Sequence, residues 1–293
     1  HQYHRQNRGD TVVSRLQGCF ARLQAEDRKA LIPYIMTGDP HPDVTVPLMH
    51  AMVKSGANII ELGAPFSDPM ADGPVIQAAA ERALEFNITL DDVFNAVREF
   101  RKLDDVTPII MMGYLNLIEV AGYTAFAARA AKAGIDGIIT VDMPPEEAND
   151  YIAALEAEVL DPVFLIAPTS TDERIDRIGA VASGFVYYVS LKGVTGAANL
   201  DVDSVRQKVE TIRARIDLPI GVGFGISDAA TAARVSACSD AVVVGSAIVK
   251  RMAAHQEHNP DQTQLVIRDV SELLGSMREA MDAVPAEEIT RTA

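Results

Sequence analysis

Three carboxylates lie close together in one stretch of the chain, residues 58–77, and could serve in acid–base chemistry. Glu61 interrupts an apolar run near its end, and Asp68 and Asp72 follow in a segment rich in proline and glycine. That segment is too punctuated for regular structure and predicts a loop. In a barrel of parallel strands, the carboxyl end of a strand and the loop after it belong to the catalytic face. Glu61 and an aspartate of the loop could therefore face one cavity and transfer protons there.

Taken singly, these carboxylates have simpler interpretations. A lone glutamate at a strand end is more often ion-paired or solvated than catalytic, and Asp72 before Gly73 is ordinary turn chemistry. The absence of other catalytic motifs from the sequence favours a catalytic role for these carboxylates. None of the apolar runs that predict strands contains a lysine, none of the six histidines ends such a run, and a dinucleotide-binding fingerprint is absent. A Schiff-base aldolase and a histidine-ligated metal enzyme are therefore disfavoured, which leaves carboxylate chemistry.

The elements that must position these residues form a repeating pattern. Eight short apolar runs without strict alternation are separated by segments with helical periodicity, as expected for strands buried on both faces. The runs are residues 31–36, 58–60, 108–112, 137–141, 163–166, 185–189, 219–222 and 241–244. This order predicts an α/β fold, a (β/α)₈ TIM barrel, with short additional helices in the loops. A doubly wound sheet is the alternative, because a count of strands does not show closure.

An extra amphipathic segment, residues 12–23, precedes the first strand. It places Val13, Leu16, Phe20 and Leu23 at helical spacing, so it predicts an N-terminal helix that could plug the floor of the barrel. Further along, Ser170 with Glu173 predicts the cap of one helix, and Pro145 predicts the start of another. We expect one barrel domain over residues 12–284, with flexible ends at residues 1–11 and 285–293.

Two glycine-rich loops follow the seventh and eighth runs, where barrels of this kind often bind phosphate. They contain Gly225 and, at the start of a helix, Gly245-Ser246. Backbone N–H groups beside glycine can approach an anion closely, and a helix N-terminus adds a favourable dipole. The simpler interpretation is that the glycines only permit tight turns. Thr195-Gly196 after the sixth run could add donors, in a segment, residues 191–199, that is either a lid or an ordinary surface turn.

The composition fits a globular enzyme with a small-molecule substrate. The 293 residues include 48% hydrophobic and 23% charged residues, and the formal net charge of −15 argues against a nucleic-acid or anionic-membrane surface. Two cysteines, Cys19 and Cys238, stand in no metal-binding or redox spacing, so a reducing cytoplasm is the simplest compartment. No apolar run reaches the length of a membrane span.

Residues 65–74, P-F-S-D-P-M-A-D-G-P, closely resemble the signature loop of the tryptophan synthase alpha subunit family. The resemblance extends in order and spacing over about residues 16–281. Its matching blocks are residues 38–40, 61–63, 65–74, 193–196, 223–227 and 245–249. It implies cleavage of indole-3-glycerol phosphate to indole and glyceraldehyde 3-phosphate.

The resemblance also implies roles for individual residues. Glu61 would be the proton-transferring glutamate, and Asp72 its partner at the indole N–H. The remaining positions fall into three groups: indole contacts at Tyr187, Tyr34, Met112 and Phe224; phosphate contacts at Gly196, Gly225, Gly245 and Ser246; and loop closure or coupling at Thr195, Asp68 and Pro65. The aromatic residues could equally be plain core packing. Tyr34, Tyr188 and Gly113-Tyr114 differ from residues common in the family.

The partner that the resemblance implies is a pyridoxal-phosphate-dependent beta subunit, in an α₂β₂ heterotetramer, with no cofactor or metal in this chain. The punctuated loop with Asp68 and Asp72 predicts loosely held catalytic geometry, and hence a slow lyase that the beta subunit accelerates. One alternative is a free-standing lyase that releases indole. Another is a non-catalytic regulatory subunit that binds phosphate ligands, against which the intact pair Glu61 and Asp72 argues.

Overall fold

Eight parallel strands close into a barrel in the computed structural model, which describes residues 13–190, 201–223 and 225–285. Each strand pairs with the next along the chain, and the first pairs with the last. The strands are β1 (Ala30–Met36), β2 (Ile60–Gly63), β3 (Ile109–Gly113), β4 (Gly137–Thr140), β5 (Asp161–Ile166), β6 (Val186–Val189), β7 (Ile220–Gly223) and β8 (Ala241–Val244). The predicted (β/α)₈ barrel is confirmed, and the doubly wound alternative is wrong because the sheet closes.

Twelve α-helices in the described part of the chain surround the strands or lie in the loops between them. They are α1 (Arg15–Ala25), α2 (Pro42–Lys54), α3 (Pro74–Leu84), α4 (Leu90–Arg101), α5 (Leu115–Ala121), α6 (Tyr123–Ala133), α7 (Asn149–Ala157), α8 (Asp172–Val181), α9 (Val202–Arg213), α10 (Ala229–Ser236), α11 (Ser246–Ala253) and α12 (Gln262–Asp282). None of these helices combines the length and the apolar character needed to cross a bilayer. The single domain over residues 12–284 stays a prediction, and the flexible ends predicted at residues 1–11 and 285–293 lie outside the described residues except Pro285.

Side chains alternate between the barrel interior and the surrounding helices, as strand geometry requires. On β2, Ile60 and Leu62 belong to the large cluster that packs against the helices. Ile59 belongs instead to the interior cluster. Glu61 therefore faces the interior. It is the second residue of β2, so the strand begins and ends later than the sequence predicted.

Helix α1 closes the floor of the barrel, as predicted. Leu16, Phe20 and Leu23 are buried against the interior side chains of the strands. Val13 is 63% exposed, so its predicted place on the apolar stripe is wrong. The reason is the cap: Ser14 accepts a hydrogen bond from a backbone N–H of the first turn, which leaves Val13 before the helix.

Three local predictions differ from the structure. The N-cap of α8 is Thr171, while Ser170 accepts a hydrogen bond from the Ala167 N–H at 2.9 Å and closes the preceding turn. The segment Pro145–Glu147 forms a separate 3₁₀ turn before α7. The predicted loop after β2 ends at Gly73, because Pro74 is well suited to the first position of a helix and begins α3.

Candidate active site

Glu61 lies inside the barrel, on a strand that is paired on both sides. It stands in register with Tyr34 on β1 and with Ile110 on β3. The residue is 1% exposed, and Oε2 has no hydrogen-bond partner among the described residues. Burial without a compensating charge disfavours the carboxylate and raises the pKa of Glu61 to about 8. At neutral pH this group therefore carries a proton and can still release it.

Two tyrosines flank Glu61, each lying over a glycine of the next strand. The hydroxyl of Tyr34 packs against Gly63, and the hydroxyl of Tyr187 packs against Gly223, in the space that a Cβ atom would need at either glycine. Burial raises the pKa of both tyrosines, and the charge of Glu61 adds to the effect in both. The structure thus brings Tyr34 and Tyr187 to Glu61, as the predicted site requires.

Asp72 lies in the loop between β2 and α3, close to the same group of residues. Its side chain is half-buried, and burial raises its pKa. A hydrogen bond with Tyr114 opposes that rise, because it favours the ionised carboxylate. The charge of Asp72 also raises the pKa of Tyr34, ahead of the effect of Glu61. Tyr34 therefore lies within electrostatic reach of both predicted catalytic carboxylates.

Tyr114 connects the loop to the carboxyl end of β3. Its hydroxyl accepts a hydrogen bond from the Ala71 N–H at 3.0 Å and donates one to the Asp72 carboxylate. The ring of Phe66 stacks on the ring of Tyr114 with centroids 5.2 Å apart. From the sequence, Tyr114 was expected at most to tune the pocket without contacting the two carboxylates, and that expectation is wrong for Asp72. Its position directly after an apolar run was the signal that could have found it.

Gln77 ties the loop to α3 from the other side. Its amide nitrogen donates to the carbonyl oxygen of Asp72 at 2.6 Å and to that of Pro69 at 3.4 Å. The Asp72 N–H also donates to the Pro69 carbonyl, at 3.1 Å, and closes a turn. This part of the loop is therefore held by specific hydrogen bonds, although its sequence predicted loose geometry. Sequence reasoning did not single out Gln77.

The loop after β8 leads directly into the N-terminus of a helix. Gly245 is the N-cap of α11, and Ser246 begins the helix. A Cβ atom at Gly245 would meet only the Cβ of Tyr34, at 3.9 Å, so packing does not demand glycine there. Gly225 differs, because its φ of +77° is a conformation that glycine readily adopts. Because little surrounds Gly245 on the side where a Cβ atom would lie, an anion could reach the backbone N–H groups of the first turn of α11.

The remaining predicted site residues differ in burial, and some of them lie outside the described residues. Met112 is half-buried and packs against the interior side chains. Pro65 is buried and Asp68 is exposed. Phe224, Thr195 and Gly196 lie outside the described residues, as does the predicted lid. Among the described residues, no three His, Cys, Asp or Glu side chains converge as a metal site.

Comparison with known proteins identifies the family. The profile described as "Tryptophan synthase alpha chain" matches residues 20–281. The chain belongs to the tryptophan synthase alpha chain family. It is 61% identical over 270 residues to the alpha chain of Thioalkalivibrio sulfidiphilus, covering 92% of this chain and 100% of that one. It is 56% identical to the alpha chain of Nitrosococcus oceani, covering 92% and 98%.

Solved structures of tryptophan synthase alpha chains have the same fold. The crystal structure of the alpha subunit from Legionella pneumophila str. Paris superposes with a TM-score of 0.85 at 45% identity, covering 92% of this chain and 98% of that one. The resemblance found in the sequence is confirmed over nearly the whole chain. As a member of this family, the chain is a lyase of tryptophan biosynthesis that catalyses the alpha reaction.

Proposed function

We propose that this chain cleaves indole-3-glycerol phosphate by acid–base catalysis, with Glu61 as the proton-transferring group and Asp72 as its partner. The observation that carries this assignment is Glu61 itself. A carboxyl group 1% exposed in the barrel, with one oxygen unpartnered and a pKa raised to about 8, has no evident structural role. Perturbed carboxyls of this kind are typical of catalytic acids and bases.

The chemistry requires a proton at C3 of the indole ring. Protonation there makes the ring an electron sink, so the bond between C3 and the glycerol carbon can break without a lysine or a metal. Glu61 in its acid form donates that proton, and the resulting carboxylate accepts the proton of the glycerol hydroxyl beside the breaking bond. A pKa near 8 suits both steps, because the group is protonated before the first and remains a useful base for the second.

Asp72 supports the developing positive charge on the ring. Protonation at C3 turns the indole into an indoleninium cation, whose N–H an ionised carboxylate holds and stabilises. The hydrogen bond with Tyr114 favours the ionised form of Asp72 against the effect of burial. Tyr34, Tyr187, Met112 and Phe224 form the walls around the ring in this proposal.

The phosphate group of the substrate is assigned to the loops after β7 and β8. Among the described residues, the proposed hydrogen-bond donors are backbone N–H groups at Gly225, Gly245 and Ser246. The N-terminus of α11 and the open side of Gly245 support this placement. Gly196 and Thr195 complete the proposed site. Residues 191–199, with Thr195, are the proposed lid.

The proposed partner is a tryptophan synthase beta subunit in an α₂β₂ assembly in the cytoplasm, with pyridoxal phosphate bound only by the beta subunit. Family membership supports the partnership. Pro65 and Asp68, in the loop that carries Asp72, are the proposed coupling residues. The alternative of a free-standing lyase uses the same residues and differs only in the absence of a partner.

Indole release from indole-3-glycerol phosphate, measured at increasing beta-subunit concentration and paired with a pull-down, tests this proposal. We expect a slow lyase alone, a faster one in the complex, and severe impairment of Asp72→Asn, because a neutral amide cannot stabilise the cationic ring as a carboxylate does. A constant rate with no complex would indicate the free-standing lyase. Absence of cleavage under all conditions would favour a regulatory subunit and contradict the proposal.

A further inference from the structure

We propose that Gln77 is a positioning residue for Asp72, acting through the backbone of the loop rather than on the substrate. The proposal rests on the proposed catalytic role of Asp72. It concerns a residue on α3 whose side chain points back across the loop. No substrate contact is assigned to Gln77.

The hydrogen bonds around Gln77 fix the backbone at the residue that carries the carboxylate. One side-chain nitrogen donates to the Asp72 carbonyl at 2.6 Å and to the Pro69 carbonyl at 3.4 Å. Those carbonyls stand at the two ends of the turn that the Asp72 N–H closes onto Pro69. An amide is suited to this place because it supplies donors without charge, whereas a carboxylate would repel both carbonyl oxygens.

Helix α3 provides a firm base for this contact. Arg82, on the same helix, forms two hydrogen bonds with the Asp39 carboxylate, at 2.6 and 3.0 Å, and Asp39 is fully buried in the loop after β1. The apolar face of α3, through Ala79 and Ala83, packs in one cluster with Tyr34 of β1. A bidentate pair of this kind fixes orientation as well as distance. The side-chain amide of Gln77 is therefore held in place by a helix that is itself fixed to the barrel.

The opposite edge of the loop is held by Tyr114, whose hydroxyl accepts the Ala71 N–H and contacts the Asp72 carboxylate. Gln77 holds the backbone of Asp72, and Tyr114 holds its side chain. With both in place, the direction of the carboxylate relative to Glu61 is set before substrate binds. Positioning of this kind lowers the barrier because the reacting groups need no further ordering.

The test is Gln77→Met, which keeps the length and helix propensity of the side chain but removes the donor. We expect kcat to fall by roughly 10- to 100-fold, as a misplaced catalytic group would cause, with KM changed by less than about threefold. The matched control is Gln207→Met, the same substitution at an exposed position of α9. It should retain wild-type kcat and KM, and both variants should keep the wild-type circular dichroism spectrum and Tm.

A double-mutant cycle separates positioning from a general structural effect. If Gln77 acts through Asp72, then Gln77→Met in an Asp72→Asn background should cost less than about twofold further, since the carboxylate it orients is already gone. A full, additive loss in that background would overturn the proposal, as would wild-type kcat in Gln77→Met alone. If Asp72→Asn itself were fully active, the catalytic role of Asp72 would fail first, which is a separate result.

Discussion

The hydroxyl of Tyr34 occupies the space that a Cβ atom would need at Gly63 on the neighbouring strand. The contact places a polar group in the barrel beside Glu61, within reach of the charge of Asp72 as well. A larger residue at position 63 and a tyrosine at position 34 cannot both keep their present geometry. The glycine is therefore required by the shape of the site, since the φ of Gly63 is not in the left-handed region.

Gly63→Ala should destabilise the protein and impair cleavage. The added methyl group must displace the Tyr34 ring, which is 3% exposed and closely packed. Overpacking of this kind costs about 1–3 kcal/mol. The free energy of unfolding, measured with urea, should fall by that amount, and indole formation should fall with it.

Gly245→Ala is the matched control, because a Cβ there meets only an ordinary contact at 3.9 Å. Its free energy of unfolding should be within about 0.5 kcal/mol of wild type. Its affinity for glyceraldehyde 3-phosphate should nevertheless fall, since the methyl group covers the donors at the start of α11. Equal destabilisation by both alanines would contradict this account of the two glycines.

Much of the barrel was predictable from the sequence because each strand is a short apolar run between helical stripes. The interior position of Glu61 was predictable for the same reason, since it interrupts an apolar run. Element ends were less predictable. They depend on single hydrogen bonds, such as the cap that Ser14 provides and the turn that Ser170 closes.

The support for Asp72 could not be derived from the sequence, because it combines Gln77, which is close by but belongs to no motif, with contacts between residues that are distant along the chain. Tyr114 is 42 positions from Asp72, on another strand end, and Arg82 reaches Asp39 across 43 positions. Neither Gln77 nor Arg82 belongs to a motif whose spacing has chemical meaning. The parallel pairing of β1 with β2 and of β2 with β3 brings the ends of these strands together so that the contacts form.

The rate of cleavage should fall as pH rises through about 8. Glu61 must carry a proton to protonate the indole ring, and its pKa is raised to about 8 by burial. In kcat/KM, which reports the free enzyme, we expect a basic limb near that value that is absent from the residual activity of Glu61→Gln. A limb that persists unchanged in the variant would assign the titration to another group.

The pH dependence of stability should report the same group. Between pH 4.5, the ordinary value for glutamate, and about pH 8, the unfolded chain loses the Glu61 proton while the folded protein keeps it. Folding is thus favoured at low pH and loses this contribution as pH rises through that window. Relative to wild type, Glu61→Gln should gain about 2–3 kcal/mol in free energy of unfolding from pH 5 to pH 7. A constant difference between the two proteins would mean that Glu61 is not desolvated.

Tyr114→Phe should slow cleavage and shift its acid limb. The lost hydrogen bond favours the Asp72 carboxylate, so the pKa of Asp72 should rise further above its usual range. The acid limb of kcat/KM should therefore move to higher pH, and kcat should fall by about tenfold, since the Ala71 N–H also loses its acceptor. The ring that stacks on Phe66 is retained, so Tm should change little. If the acid limb stayed at its wild-type position, Tyr114 would not be the group that sets the pKa of Asp72.

The most direct measurement is single-turnover indole formation by Glu61→Gln, with substrate binding and the circular dichroism spectrum recorded on the same preparation. The variant keeps the shape of the side chain and removes its titrating proton. The account predicts wild-type folding, retained binding of indole-3-glycerol phosphate, and a rate lower by about 10²–10⁴. Indole formation at close to the wild-type rate in this folded variant would contradict the assignment of Glu61 as the proton-transferring group.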